Sequence, residues 1–101
     1  MTIAKVIRYK TKPECADDNE RLIRGVFAEL TQQNPEVLHY AAFRLDDGVS
    51  FLHVAVLDGV VNPLLTSAAF GEFQSAINDR CAEGPTPADA TVIGSYWLVP
   101  E

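Results

Sequence analysis

Two alternating runs, VLHYAAFRLD and SFLHVAVLD, flank Asp47-Gly48, a dipeptide that favours the tight turn of a β-hairpin. A hairpin fixes register, and register fixes faces, because successive side chains on a strand point to opposite sides. A two-residue turn at Asp47-Gly48 sets Asp46 opposite Val49 and runs the pairing back from there. Tyr40, Arg44, Phe51 and His53 then share one face, while His39, Ala41, Phe43, Leu52, Val54 and Val56 share the other. Both faces carry apolar side chains, so such a ribbon needs cover on two sides.

The flanking segments supply the rest of the sheet and part of its cover. Residues 2 to 10 alternate as a strand, and Pro13 stands where a helix begins. Leu22, Ile23, Val26, Phe27 and Leu30 fall at helical spacing, opposite Asp17, Asp18, Glu20, Arg21, Arg24 and Glu29. This predicts a helix of about five turns, with acidic residues at the positive end of its dipole and Asn34-Pro35 as its stop. Beyond the hairpin, Asn62 reads as an N-cap with Pro63 at the first helical position, and Ser67 as the cap of a second, longer segment. Phe70, Phe73, Ile77 and Cys81 continue it as an apolar stripe. EGPTP at 83–87 reads as a helix breaker that leads into a final strand, ATVIGSYWLV, rich in β-branched and aromatic residues.

The predicted order is βαββαβ in one domain spanning residues 1–101. It gives an α+β, ferredoxin-like fold: a four-stranded antiparallel sheet with two helices on one face. Helices cover only one face, so the other is expected to meet a second copy of the chain in a homodimer.

Composition excludes several classes of partner. The formal net charge is −6, from 8 basic and 14 acidic residues, and offers no footprint for nucleic acid or an anionic membrane. MTIAKVIRYK is punctuated by Lys5, Arg8 and Lys10 and lacks the apolar core of a signal peptide, so a cytoplasmic protein is expected. Cys15 and Cys81 have no paired spacing of a zinc site or redox dithiol and read as free thiols.

Within this layout, NPLLTSAAFGEFQSAI resembles the start of the second helix in the antibiotic-biosynthesis-monooxygenase-like family of small dimeric α/β-barrel proteins. VIRYKTKPE resembles that family's first strand and the Pro that opens its first helix. Family members typically carry a His, a Ser three residues later and a Phe three residues beyond. Ser67 and Phe70 occupy the later two positions, with Phe73 as a following aromatic, but Leu64 stands where many members have the His. The Trp that some carry near the end of the third strand has no counterpart around residues 54–58. Haem-degrading members depend on that His and Trp, so the resemblance points instead to cofactor-free oxidation of a small aromatic or quinol-type molecule. A non-catalytic ligand-binding or interaction module is the alternative, and Leu64 favours it.

Cofactor-free oxygenation needs a group to take a phenolic proton and others to steady the anion while water is kept away. His53 fits the base, with Arg44 and Tyr40 beside it if the hairpin register holds. The competing reading makes His53 a hydrogen-bonded sheet residue. His39 reads as structural. Neither His has a second His or a carboxylate two or four residues on, so no metal site is expected. Ser67 has no glycine-rich elbow and reads as a helix cap. Gly84 and Gly94 are isolated, so no nucleotide cofactor is expected. Tyr9, Tyr96 and Trp97 suit either a pocket for a planar ligand or packing in the core or dimer seam.

Overall fold

A computed structural model describes residues 2–58 and 62–96. Strand β1 (Thr2–Thr11) leads to helix α1 (Ala16–Gln33), the hairpin strands β2 (Leu38–Arg44) and β3 (Ser50–Asp58), helices α2 (Ala68–Ser75) and α3 (Ile77–Arg80), and strand β4 (Cys81–Ala90). The sheet is antiparallel throughout, in the order β2-β3-β1-β4, with the helices on one face. This is the expected ferredoxin-like α+β arrangement.

The hairpin register is the one read from the sequence: His39 pairs with Val56, Ala42 with His53 and Arg44 with Phe51. Its turn is longer than the two residues expected. The Leu45 amide donates to the Ser50 carbonyl at 2.8 Å and the Gly48 amide to the Leu45 carbonyl at 3.0 Å, leaving residues 46–49 as the loop. One unpaired residue is added on each side, so the facing pairs do not move. The Asp47 carboxylate locks the loop by accepting from the Ser50 hydroxyl and from the Ser50 and Val49 amides, which hold its pKa down to about 2. Gly48 takes a left-handed φ of 79°, which a Cβ would disfavour.

A 3-10 turn at Pro13–Cys15 precedes α1, and Asn34 closes the helix in the left-handed region with its amide on the Leu30 carbonyl. After the hairpin both expected caps are in place. Asn62 Oδ1 accepts from the Leu64 amide to cap a 3-10 turn at Pro63–Thr66, and Ser67 Oγ accepts from the Phe70 amide to cap α2. Glu29 of α1 accepts from the Ala69 amide at 3.0 Å, tying the two helices together. The core between helices and sheet is built on Tyr9, Ile23, Val26, Phe51, Leu64 and Phe73.

The last part of the chain departs from expectation. The apolar stripe is not one helix: α2 ends at Ser75, Ala76 breaks the spiral with φ −132° and ψ 28°, and Cys81 belongs to a strand. Among the described residues the last strand is CAEGPTPADA, not the expected ATVIGSYWLV. Pro85 and Pro87 are tolerated because β4 is an edge strand, where a residue without an amide proton need break no ladder bond. A register shift opposite Arg8 to Thr11 absorbs the remaining irregularity. Residues 91–96 lie outside any strand and residues 97–99 fall outside the described region.

Two glycine replacements should move stability in opposite directions. Gly48→Ala is expected to lower it by about 1 kcal/mol through its left-handed φ. Gly25→Ala, inside α1 with open space around the new methyl, should raise it by about 0.5–1 kcal/mol. Denaturant unfolding midpoints measure both, and a neutral Gly48→Ala would contradict the loop conformation.

Candidate functional site

The helix-facing side chains of the central strands meet the helices around a cavity of about 260 Å³. Its walls are mostly apolar, with Ile7, Leu64, Phe70, Ile77, Pro85 and Pro87 among them, and its polar groups are His53, Tyr9 and Tyr40 together with Gln74 of α2. Strand register explains the grouping. Ile7 is opposite His53, Tyr9 is the next inward residue of β1, and Tyr40 is opposite Ala55, two positions from His53.

His53 is 4% exposed, and both ring nitrogens are engaged. Nε2 lies 2.8 Å from the Tyr9 hydroxyl and Nδ1 lies 2.6 Å from the Tyr40 hydroxyl. The Tyr9 oxygen also accepts from Asn19 Nδ2 at 2.8 Å, and Asn19 Oδ1 accepts from Arg80 Nε at 3.1 Å. Arg80 is 6% exposed, donates to the Phe73 carbonyl and lies 5.4 Å from the centre of the Phe73 ring. Five side chains from β1, α1, β2, β3 and α3 thus form one chain of hydrogen bonds, buried from Arg80 to His53 and half-buried at Tyr40.

Burial sets the protonation states. It pulls the His53 imidazole down to about 4, so the ring is neutral at pH 7. Burial also pushes the Tyr9 and Tyr40 hydroxyls above the ordinary phenol range, so both keep their protons.

Of the three residues proposed from sequence, the structure brings His53 and Tyr40 together and leaves Arg44 apart. Arg44 lies on the same sheet face but at the hairpin end. Its Nη1 meets Asp17 at 3.0 Å and Glu20 at 3.1 Å on α1, and its Nε donates to the Gly48 carbonyl at 2.8 Å. It borders a separate open trough between α1 and β2, of about 510 Å³, which His53 does not reach. The larger space has the weaker chemistry: its charged side chains are committed to one another as ion pairs. His39 faces the opposite side of the sheet, paired with Val56. Among the described residues, no group of three or more His, Cys, Asp or Glu side chains converges as a metal site would require.

Sequence reasoning missed Asn19 and Arg80 and left Tyr9 between two readings. Asn19 was masked by the charged stretch DDNER, yet it sits four residues before Ile23 and seven before Val26, in line with the buried stripe. Arg80 stands seven residues after Phe73 and three after Ile77, again on the inward side. Polar residues in register with an apolar stripe were the available signal.

The fold recurs in solved structures. A crystal structure of an antibiotic biosynthesis monooxygenase is 21% identical, with a TM-score of 0.66 over 93% of this chain and 100% of the other. A candidate antibiotic biosynthesis monooxygenase from Caulobacter crescentus CB15 is 17% identical, with a TM-score of 0.71 over 92% and 91%. Another from Nitrosomonas europaea is 10% identical, with a TM-score of 0.72 over 91% and 90%. At such identities the likeness is one of fold, and it agrees with the resemblance read from NPLLTSAAFGEFQSAI. No family model and no curated protein sequence matches the chain.

The buried imidazole ties stability to pH. In the unfolded chain His53 takes up a proton near pH 6.5, whereas in the fold it does so only near 4. Its contribution is therefore complete above about pH 6.5 and is lost as pH falls toward 4, by about 3 kcal/mol in all. Unfolding measured at pH 7 and pH 4.5 should show a steeper loss for the natural protein than for His53→Gln. Equal losses would mean that the ring is solvated.

Proposed function

We propose that this protein binds a small, flat hydroxyaromatic or quinol-type molecule in the cavity between sheet and helices and oxidises it with dioxygen, without metal or flavin. The observation that carries this reading is the Tyr9–His53–Tyr40 group set among apolar walls. Such a site takes a mostly apolar ligand and fixes it by one polar edge. About 260 Å³ suits a molecule of one or two rings. The fold shared with structures called antibiotic biosynthesis monooxygenases supports the reaction class.

The substrate supplies the electrons. For a hydroquinone, one oxygen atom enters a ring C–H bond as a new hydroxyl, and the other leaves as water with the two original hydroxyl hydrogens. The ring ends as a hydroxyquinone, which accounts for the four electrons that dioxygen takes up. The Tyr40 hydroxyl, held from behind by His53, would meet the reacting oxygen and steady its charge as the ring loses its proton. An imidazole held near 4 is a weak acceptor for an ordinary phenol proton near 10, a gap of about 8 kcal/mol. The reading therefore favours substrates whose hydroxyl is acidified by a conjugated carbonyl.

A non-catalytic small-ligand-binding module is the second reading. It is favoured by that weak basicity and by Leu64, 5% exposed in the cavity wall where the resemblance leads one to expect a His. Oxygen uptake with a panel of hydroquinones and anthrones separates the two. Uptake that falls at least tenfold in both His53→Gln and Tyr40→Phe, with folding retained, supports oxidation. Calorimetric binding without uptake supports the module, and neither binding nor uptake with any member of the panel removes both.

The same reading takes the protein as a cytoplasmic homodimer. No helix among the described residues is long and apolar enough to cross a membrane. The sheet face away from the helices carries Phe43, 46% exposed, beside half-buried Val6, Leu52 and Val54. Val92, Ile93 and Tyr96 are 41%, 99% and 87% exposed beyond β4. Apolar side chains in both places favour association with a second copy. Sedimentation at micromolar concentration should give twice the 11.1 kDa chain mass; a clean monomer would overturn the dimer.

A further inference from the structure

The hydrogen bonds behind the cavity have a direction, and it is set by the one member of the chain that can only donate. A guanidinium has no acceptor, so the group opposite Arg80 Nε must be the Asn19 carbonyl oxygen. That turns the Asn19 amide NH₂ toward Tyr9, whose oxygen accepts. Tyr9 is 2% exposed and has one proton to place. Among the described residues the remaining partner of its hydroxyl is His53 Nε2 at 2.8 Å, so Tyr9 donates and Nε2 is bare. A neutral imidazole with a bare Nε2 carries its proton on Nδ1, which then donates to the Tyr40 oxygen at 2.6 Å. The opposite tautomer would give the Tyr9 oxygen two incoming donors and leave its own buried proton without an acceptor. The Tyr40 hydroxyl, whose ring lines the cavity, is left with its proton free to point at a ligand.

We propose that Asn19 and Arg80 are positioning residues that act through Tyr9 to hold His53 as the Nδ1–H tautomer, making Tyr40 a hydrogen-bond donor that selects flat ligands presenting an acceptor oxygen, such as an aromatic carbonyl or phenolate. This rests on the cavity being the ligand site, as in the function proposed above, but not on turnover.

Long-range 1H–15N correlation on the labelled natural protein at pH 7 reads the tautomer without any ligand. The expected spectrum has His53 Nδ1 protonated and Nε2 bare, and the reverse overturns the proposal. Asn19→Asp is nearly isosteric and reverses the logic. Its carboxylate still accepts from Arg80 but now also accepts the Tyr9 proton, so His53 should switch to the Nε2–H tautomer and Tyr40 should turn its proton onto Nδ1. Persistence of the natural tautomer in a folded Asn19→Asp would also overturn it. Should that variant not fold, Tyr40→Phe supplies the second arm.

Two probes of similar shape read the selectivity by calorimetry: 1-indanone, which only accepts, and indole, which only donates. The natural protein should favour indanone by about tenfold, the worth of one hydrogen bond. Asn19→Asp or Tyr40→Phe should erase that preference. Equal affinity of the natural protein for both probes, or no binding of either, would sink the selectivity. A failure of oxygen uptake alongside a preserved indanone preference would instead remove the oxidation reading and leave this one standing.

Discussion

The hydroxyl of Tyr9, a residue only 2% exposed, is the constraint around which this small domain is organised. Tyr9 lies on a central strand, stacks on Phe51 at 5.5 Å between ring centres and tilts against Phe73 and His53. Its ring belongs to the apolar core, but its oxygen cannot be left unpaired there without losing about 1–3 kcal/mol. Asn19 from α1 and His53 from β3 answer that need, and Arg80 answers Asn19 in turn. Once that chain is closed, helices and sheet are held at one spacing, and the cavity beside His53 is a consequence of that spacing. Core and site are thus the same set of residues seen from two sides.

Ion pairing works at a different place. Arg44 joins the hairpin end of β2 to the first turns of α1 through Asp17 and Glu20, and it draws the Glu20 carboxyl below its ordinary range together with Arg24. These groups are solvent-accessible, so each pair is individually weak. They tie the first turns of α1 to the hairpin end of the sheet, whereas the interior network ties α1 to its centre.

Much of the fold was legible because its signals are local. Alternation in the hairpin gave the register even though the turn was longer than read, since the pairing depends on parity and parity did not change. Asn62 and Ser67 could be named as caps because capping depends on residues two or three apart. The last strand was misread because propensity pointed to ATVIGSYWLV, whereas pairing with β1 recruited a proline-containing stretch that is acceptable only on an edge. Position in the sheet is not written in the strand itself. The same divide applies to the site. His53 and Tyr40 follow from hairpin parity, but the partnership of Asn19 with Arg80 spans 61 residues and emerges only when α1 and α3 are packed. Arg44 shared the right face and still fell at the wrong end of it, because a face assignment carries no information about distance along the strand.

Pro85 and Pro87 do more than occupy an edge strand. Both line the cavity, and neither has an amide hydrogen to offer a guest. A guest lying along β4 therefore finds no backbone donor at those two positions, and its heteroatoms are met instead by the imidazole, the two phenols and the Gln74 amide. A rigid, mute wall facing a single talkative one leaves a flat molecule few ways round, so orientation is enforced by silence on one side as much as by bonding on the other.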